Sequence, residues 1–453
     1  MALLSLTDRR ILSIALPSIV SNITVPLLGL ADVSVTGHMS QAAADDTAAA
    51  LSPSSYVGGI AVGGMMFNII YWVFSFLRME TGGETARAFG RRDTAALVLS
   101  LARGMSLAVV LAMALMLFSP LVRDAALWYI APDVVVATLA RTYYNICIFG
   151  AVPVLGLYVL NGWYIGMQNS RIPMYVAILQ NLLNILCSLF FVFVLGMRIE
   201  GIALGTLLAL WVAFLTAMLL CVRNYGHILR KGRPGLPSFV ALLRLAITPD
   251  TEANRHNVSL FLRTLCLVVV HFMFVAAGAS QGSVELAVNT LLMQLFTFFS
   301  FFMDGFAYAG EALAGKAFGT ADRVGCSTVV RRLFLWGGVV SLLFVVLYAC
   351  AGEDFVALLT DDASVLVAVS SYYHWTLLLP LCGVASFLWD GIYTGVAATR
   401  LMLLSMALSM LVFLAGYYSL IPVWGNHGLW VSFLAYLACR GLIQTFFRSR
   451  IFI

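Results

Sequence analysis

Asp32 has the clearest opportunity for chemistry in this sequence. It ends the apolar stretch IALPSIVSNITVPLLGLA, fifteen residues after Pro17 and six after Pro26. Ionisable groups inside a bilayer cost about 2.5–3.5 kcal/mol on insertion scales, so each needs a reason. Proline in a spanning helix frees backbone groups and permits bending. A carboxyl group on such a bendable apolar helix can take up and release a proton, which would link helix shape to an ion gradient. The competing reading is an acid near the outer end of the helix, paired structurally with a neighbouring donor.

Other polar residues interrupt apolar runs. In YVAILQNLLNILCSLFF, Gln180, Asn184 and Ser188 stand four apart and form one helical stripe. Their amides and hydroxyl suit hydrogen bonds to Asp32 or ligation of a small cation; equally, such groups serve as glue between helices. Asp304 and Glu311, seven apart, share a face toward a basic end, where a structural ion pair with Lys316 or Arg323 is expected. Arg263 and His271 lie two turns apart; Arg263 suits neutralising a buried acid, and His271 reads as a core histidine. Asp390 stands in FLWDGIYTG and completes a candidate secondary polar set of Gln180, Arg263, Asp304 and Asp390.

The elements that must position these residues are membrane spans. Charged residues are 10% of the 453, hydrophobic residues 62%, too few charges to cover a soluble fold. Apolar runs near 10–38, 54–77, 95–119, 134–165, 172–196, 201–222, 257–279, 285–309, 325–351, 366–395, 402–422 and 427–447 give twelve spans of about 20 residues or more. Of the 26 basic residues, only Arg123, Arg141 and Arg198 fall on the side whose loops carry the acids. That asymmetry predicts both termini in the cytoplasm. The net charge of +5 thus reports orientation, and no nucleic-acid partner is implied. The eight cysteines are scattered with no CxxC pair, which argues against a disulfide framework or zinc cluster. No cleavable signal peptide is evident.

The sequence also repeats. ARAFGRRD (86–93) matches GKAFGTAD (315–322), and NGWYIGMQNSR (161–171) matches DGIYTGVAATR (390–400), each with four identities and the same offset of 229. Asp390 therefore has Asn161 as its repeat mate. The expected fold is an all-α integral membrane protein of twelve transmembrane helices, in two six-helix lobes related by an internal parallel repeat. The lobes span 1–223 and 256–453, joined by a basic cytoplasmic linker at 224–255. Six spans per half place the repeat axis along the membrane normal, with the cleft between lobes as the substrate path. No GxxxxGK[ST] loop is present, so the energy is expected to come from an ion gradient or from the substrate's own gradient.

The stretches LPSIVSNITVPLLGLADVSVTGHM, YVGGIAVGGMMFNIIYWVFSFLRMETGGETARAFG, GMQNSRIPMYVAILQNLLNI and FMDGFAYAGEALAGKAFG resemble the multidrug and toxic compound extrusion (MATE) family, and more closely its DinF-like branch. The resemblance implies an antiporter that exports lipophilic organic cations in exchange for protons or sodium ions, working as a monomer in the plasma membrane (the inner membrane of a Gram-negative cell). It implies that Asp32 is the main proton or cation site, that Pro17 forms the bend, and that Asn184 and Thr206 of GIALGT complete the site. Some members carry a second acid where Ser188 stands. With one carboxylate fewer, a bare sodium ion at Asp32, Asn184 and Thr206 has weaker charge compensation, so protons are favoured. Asp390 falls about one turn from where the tenth-span acid of sodium-using relatives is expected. No cofactor or catalytic residue is implied. A flippase for a lipid-linked precursor would need an arginine-rich cavity, and Arg263 alone reads as an intramembrane base. An intramembrane enzyme would need metal ligands or a nucleophile pair, and the spans show none.

Overall fold

The computed structural model describes the backbone of residues 5–42, 53–232, 252–357 and 362–450, together with 238, 241 and 360; the side chains of 25–34, 36–42, 53–54, 253, 353 and 450 lie outside the described residues. Every regular element among them is helical. Long apolar runs leave no alternative, because a spanning segment must satisfy its backbone hydrogen bonds internally.

The bundle begins with α1, Leu6–Ala42. Eleven further helices are long and apolar enough to cross a bilayer: α2 (Ser55–Arg91), α3 (Thr94–Leu117), α4 (Val134–Gly166), α5 (Arg171–Val194), α6 (Ile199–Gly232), α7 (Asn254–Gln281), α8 (Ser283–Gly319), α9 (Arg323–Gly352), α10 (Ala363–Gly395), α11 (Thr399–Trp424) and α12 (Asn426–Ser449). A short helix, Ser119–Ile130, joins α3 to α4. Helix α6 runs unbroken past 223 as far as Gly232. Large side chains such as Leu117, Leu219 and Leu343 remain more than half exposed, a surface suited to acyl chains rather than water.

The repeat of 229 residues extends into backbone geometry. Left-handed residues end α2 and α8 at Arg92 (φ 57°) and Ala321 (φ 55°), and follow α4 and α10 at Gln168 (φ 61°) and Ala397 (φ 62°). Each pair differs by 229. Asp93 then accepts from the backbone N–H of Ala96 (3.0 Å), and Asp322 from that of Gly325 (2.8 Å), again at matching positions. A side chain on Gly162 would strike the Arg78 carbonyl, and one on Gly391 the Ala307 carbonyl, so the α2/α4 and α8/α10 crossings are copies of one another.

Contacts between the lobes show how the copies are related. Gly90 packs against the Lys316 carbonyl, and Gly319 against the Arg87 carbonyl. Exchanging each residue for its mate turns one contact into the other. Gly82 and Glu311, mates themselves, touch directly. Only a two-fold axis running between α2 and α8 makes a residue meet its own counterpart. These contacts lie at the end of the bundle where α2 and α8 finish and α1 begins.

Candidate functional site

Polar constellations break the apolar interior, and three of them, among the described residues, hold the candidate residues of the sequence. In the first lobe, Asn184 and Ser188 stand one turn apart on α5, both buried. Asn184 Nδ2 donates to Thr206 Oγ1 (2.8 Å), and that hydroxyl donates to the Ile202 carbonyl (3.1 Å). Asn184 Oδ1 and Ser188 Oγ are buried without a partner among the described residues. Glycine at 205 permits this closeness, since a Cβ there would stand 2.6 Å from Ser188 Oγ. Beside them, Asn181 Nδ2 donates to the Thr24 carbonyl (2.8 Å), tying α5 to α1. Gln180 is half-buried on α5 and its side chain makes no hydrogen bond among the described residues, so nothing joins it to the Arg263, Asp304 and Asp390 with which the sequence grouped it.

Helix α1 continues through positions 26 and 32, but the side chains of Pro26 and Asp32 lie outside the described residues. Pro17 is half-buried. Having no N–H, it cannot bond the Ser13 carbonyl four residues earlier. Ser170, buried in the α4–α5 turn, donates its hydroxyl to that carbonyl instead (3.3 Å).

The second constellation lies on the repeat axis. Arg78 Nη1 of α2 donates to Glu311 Oε2 of α8 (3.0 Å), with Glu311 1% and Arg78 15% exposed. The guanidinium also sits over the Tyr308 ring, 4.2 Å from its centre. Arg87 donates to the carbonyls of Thr394 (3.2 Å) and Gly395 (3.1 Å) on α10. Nearer the start of α1, Asp8 accepts from Trp336 Nε1 (3.1 Å) and faces Arg332 (3.6 Å), both on α9. At mid-depth, Asn22 donates to the Phe301 carbonyl (3.2 Å), and Gly305 meets the Ala15 carbonyl. These bonds join the lobes from mid-depth to the end where α1 begins and α12 finishes, the terminal end. The expected pairing of Asp304 or Glu311 with Lys316 or Arg323 is not what forms. Glu311 turns across the lobe boundary to Arg78, while Lys316 lies over the Phe89 ring. Asp304 is half-buried and makes no hydrogen bond among the described residues.

The third constellation is in the second lobe. Asp390 Oδ2 takes both Arg263 of α7 and Arg440 of α12, and Gln444 Nε2 donates to Oδ1 (2.8 Å). Arg263 does neutralise a buried acid. Arg440 and Gln444, four apart in LAYLACRGLIQ, were hidden inside an otherwise apolar run, and Arg78 sat one residue beyond the expected end of the second span. Among the described residues Arg263 is therefore joined within the bundle by Arg78, Arg440 and also Arg103 of α3, which pairs with Glu84 (3.3 Å), and each of the four faces a carboxylate. His271 meets Trp72 edge-on, ring centres 5.6 Å apart, as a packed residue. Among the described residues no group of His, Cys, Asp and Glu is arranged to hold a metal.

Comparison with known proteins agrees with this architecture. The MatE family model matches residues 17–190 and 259–418, one segment in each half. DNA damage-inducible protein F of Escherichia coli (strain K12) is 35% identical over 98% of this chain and 92% of its own length. Protein DETOXIFICATION 44, chloroplastic, of Arabidopsis thaliana is 24% identical over 95% of this chain and 80% of its own. A crystal structure of MATE in the bent conformation superposes with a TM-score of 0.83 at 17% identity, covering 98% of this chain and 95% of the other. The matches in both halves, the shared fold and the extent of the first relative place the chain in the MATE family of multi-pass efflux transporters, in its DinF-like branch.

Proposed function

We propose that the chain is a proton-coupled exporter of lipophilic organic cations, working by alternating access with Asp32 as its protonation switch. The observation that carries this reading is the pair of buried, unpartnered oxygens, Asn184 Oδ1 and Ser188 Oγ, beside Thr206 on the helix bonded to α1. Buried polar atoms left unpaired are costly, about 1–3 kcal/mol each. A protonated carboxyl supplies the donor that Asn184 Oδ1 lacks and an ionised one does not, while the Ser188 hydroxyl can pair with either form. Protonation of Asp32 on its outward visit would exchange a cation counter-charge for a hydrogen bond into this cluster, and the passenger would leave. Release of the proton on the inward visit would restore affinity for the cation.

Pro17 supports the linkage to shape, because the Ser13 carbonyl is held by Ser170 rather than by the helix itself. Neutral oxygens at Asn184, Ser188 and Thr206 offer a sodium ion little charge compensation, which favours the proton. The paired state of Arg78, Arg263 and Arg440 weighs against a flippase for an anionic lipid precursor. In this reading the lobes are 1–223 and 256–453, joined by the linker 224–255. The protein works as a monomer in the plasma membrane, or the inner membrane of a Gram-negative cell, with both termini cytoplasmic. One-for-one exchange of a proton and a monovalent cation moves no net charge, so pH alone drives it; each further proton would add about 2.3 kcal/mol per 100 mV.

Proteoliposomes with pH and sodium gradients imposed separately test this. Uptake of a lipophilic cation on interior acidification, without sodium, is the expected result. Uptake that follows the sodium gradient alone would replace the proton with sodium.

A further inference from the structure

Glu80 belongs to none of the three constellations. It lies on α2 two residues beyond Arg78 and is 7% exposed. Every arginine whose field reaches it, or that flanks it, is committed elsewhere. Arg78 binds Glu311, Arg87 binds the carbonyls of α10, and Arg103 of α3 pairs with Glu84 (3.3 Å). Glu80 makes no hydrogen bond among the described residues. An ionised carboxylate left so would cost several kcal/mol of lost hydration, whereas a neutral carboxyl costs far less.

The scaffold does not require an acid here. The repeat mates of Glu80 and Glu84 are Ala309 and Leu313, at equivalent places on α8. Glu80 instead lines a small cavity with room for about one water, bounded by Thr81, Glu84, Ser100, Arg103 and Asn257. Two of those residues carry orphaned buried atoms, Arg103 Nε as a donor and Asn257 Oδ1 as an acceptor. One water accepting from Arg103 Nε and from the Glu80 carboxyl O–H, and donating to Asn257 Oδ1, would satisfy all three groups. Asn257 belongs to α7 of the second lobe, so one wall of the cavity is removed when the lobes part. The charged groups facing Glu80 are Glu84 and Arg87 on its own helix, Arg103 on α3 and Glu311 on α8; His256 precedes Asn257 on α7 and bonds Thr399 (2.8 Å).

We propose that Glu80 is a second proton-carrying carboxyl group, which exchanges its proton through a water held by Arg103 and Asn257 and reaches solution at the terminal end only when the lobes separate there. In the exchange the Glu80 O–H bond breaks, the water gains that proton, and solution takes it on. This rests on protons being the coupling ion, but its test does not rest on Asp32.

Infrared difference spectra of the reconstituted protein across a pH step report protonated carboxyl groups directly. Glu80→Gln, which keeps shape and removes the titration, should abolish a protonated-carboxyl band that Asp32→Asn retains. Deuterium exchange of that band should slow when cysteines placed at Arg92 and Thr320 are cross-linked to hold the terminal end shut. A band lost in Asp32→Asn alone would overturn the proposal while leaving the Asp32 switch standing. A band lost in Glu80→Gln but exchanging equally fast with and without the cross-link would overturn the gated access. If sodium rather than pH drives transport, the coupling reading fails whatever the spectra show.

Discussion

Arg78 and Glu311 lie 233 residues apart and meet at 3.0 Å across the lobe boundary, beside the axis that relates the two halves. Parting the lobes at this end must break that pair. Removing one partner of a buried ion pair costs about 3–5 kcal/mol, mostly from the charge left behind. Arg78→Ala should therefore weaken the state sealed at the terminal end, and spin labels at Arg92 and Thr320 should report longer distances. Adding Glu311→Gln removes the stranded charge and should recover part of the seal. Unchanged distances in the single variant would show that the pair does not hold the lobes together.

Ser170 occupies a comparable position for α1. Its hydroxyl replaces the bond that Pro17 denies to the Ser13 carbonyl. Ser170→Ala should leave that carbonyl unpaired, at about 1–3 kcal/mol, and so favour whichever shape of α1 lets water reach it. The expected outcome is a shifted pH dependence of transport with insertion and expression unchanged. Pro17→Ala restores the N–H, so the Ser170 substitution should have little effect in that background. A full Ser170 effect in the Pro17→Ala background would refute the argument.

Asp390 behaves as a structural anchor, since two arginines and Gln444 all converge on it. Asp390→Asn strands two buried guanidiniums and should lower thermal stability more than any single change at Asn184, Ser188 or Thr206. Melting temperatures of the four variants in detergent check the order. A stable Asp390→Asn protein that has lost pH dependence would instead make Asp390 a coupling group.

The fold was legible because lipid imposes one solution on long apolar runs, and because the offset of 229 appears in short motifs that sit at helix ends. Those motifs mark tight crossings and left-handed turns, such as Arg92 with Ala321 and Gln168 with Ala397, where few sequences fit. Polar partners were harder to read. Arg263 announced a need for an acid, yet spacing along one helix cannot say that Asp390, 127 residues away, supplies it. The sequence pairs Glu311 with its neighbour Lys316 because local pairs are visible in sequence, whereas Arg78 comes from the other lobe. Arg440 and Gln444 were masked by the apolar residues around them.

In the proposed exchange one carboxyl group on α1, that of Asp32, trades its proton for a cation. The most direct measurement is uptake of a fluorescent lipophilic cation by inverted vesicles whose interior is acidified, with the original chain compared with Asp32→Asn at equal amounts of inserted protein. The variant should show no pH-driven uptake. Uptake by Asp32→Asn at the original rate would remove Asp32 from the coupling step.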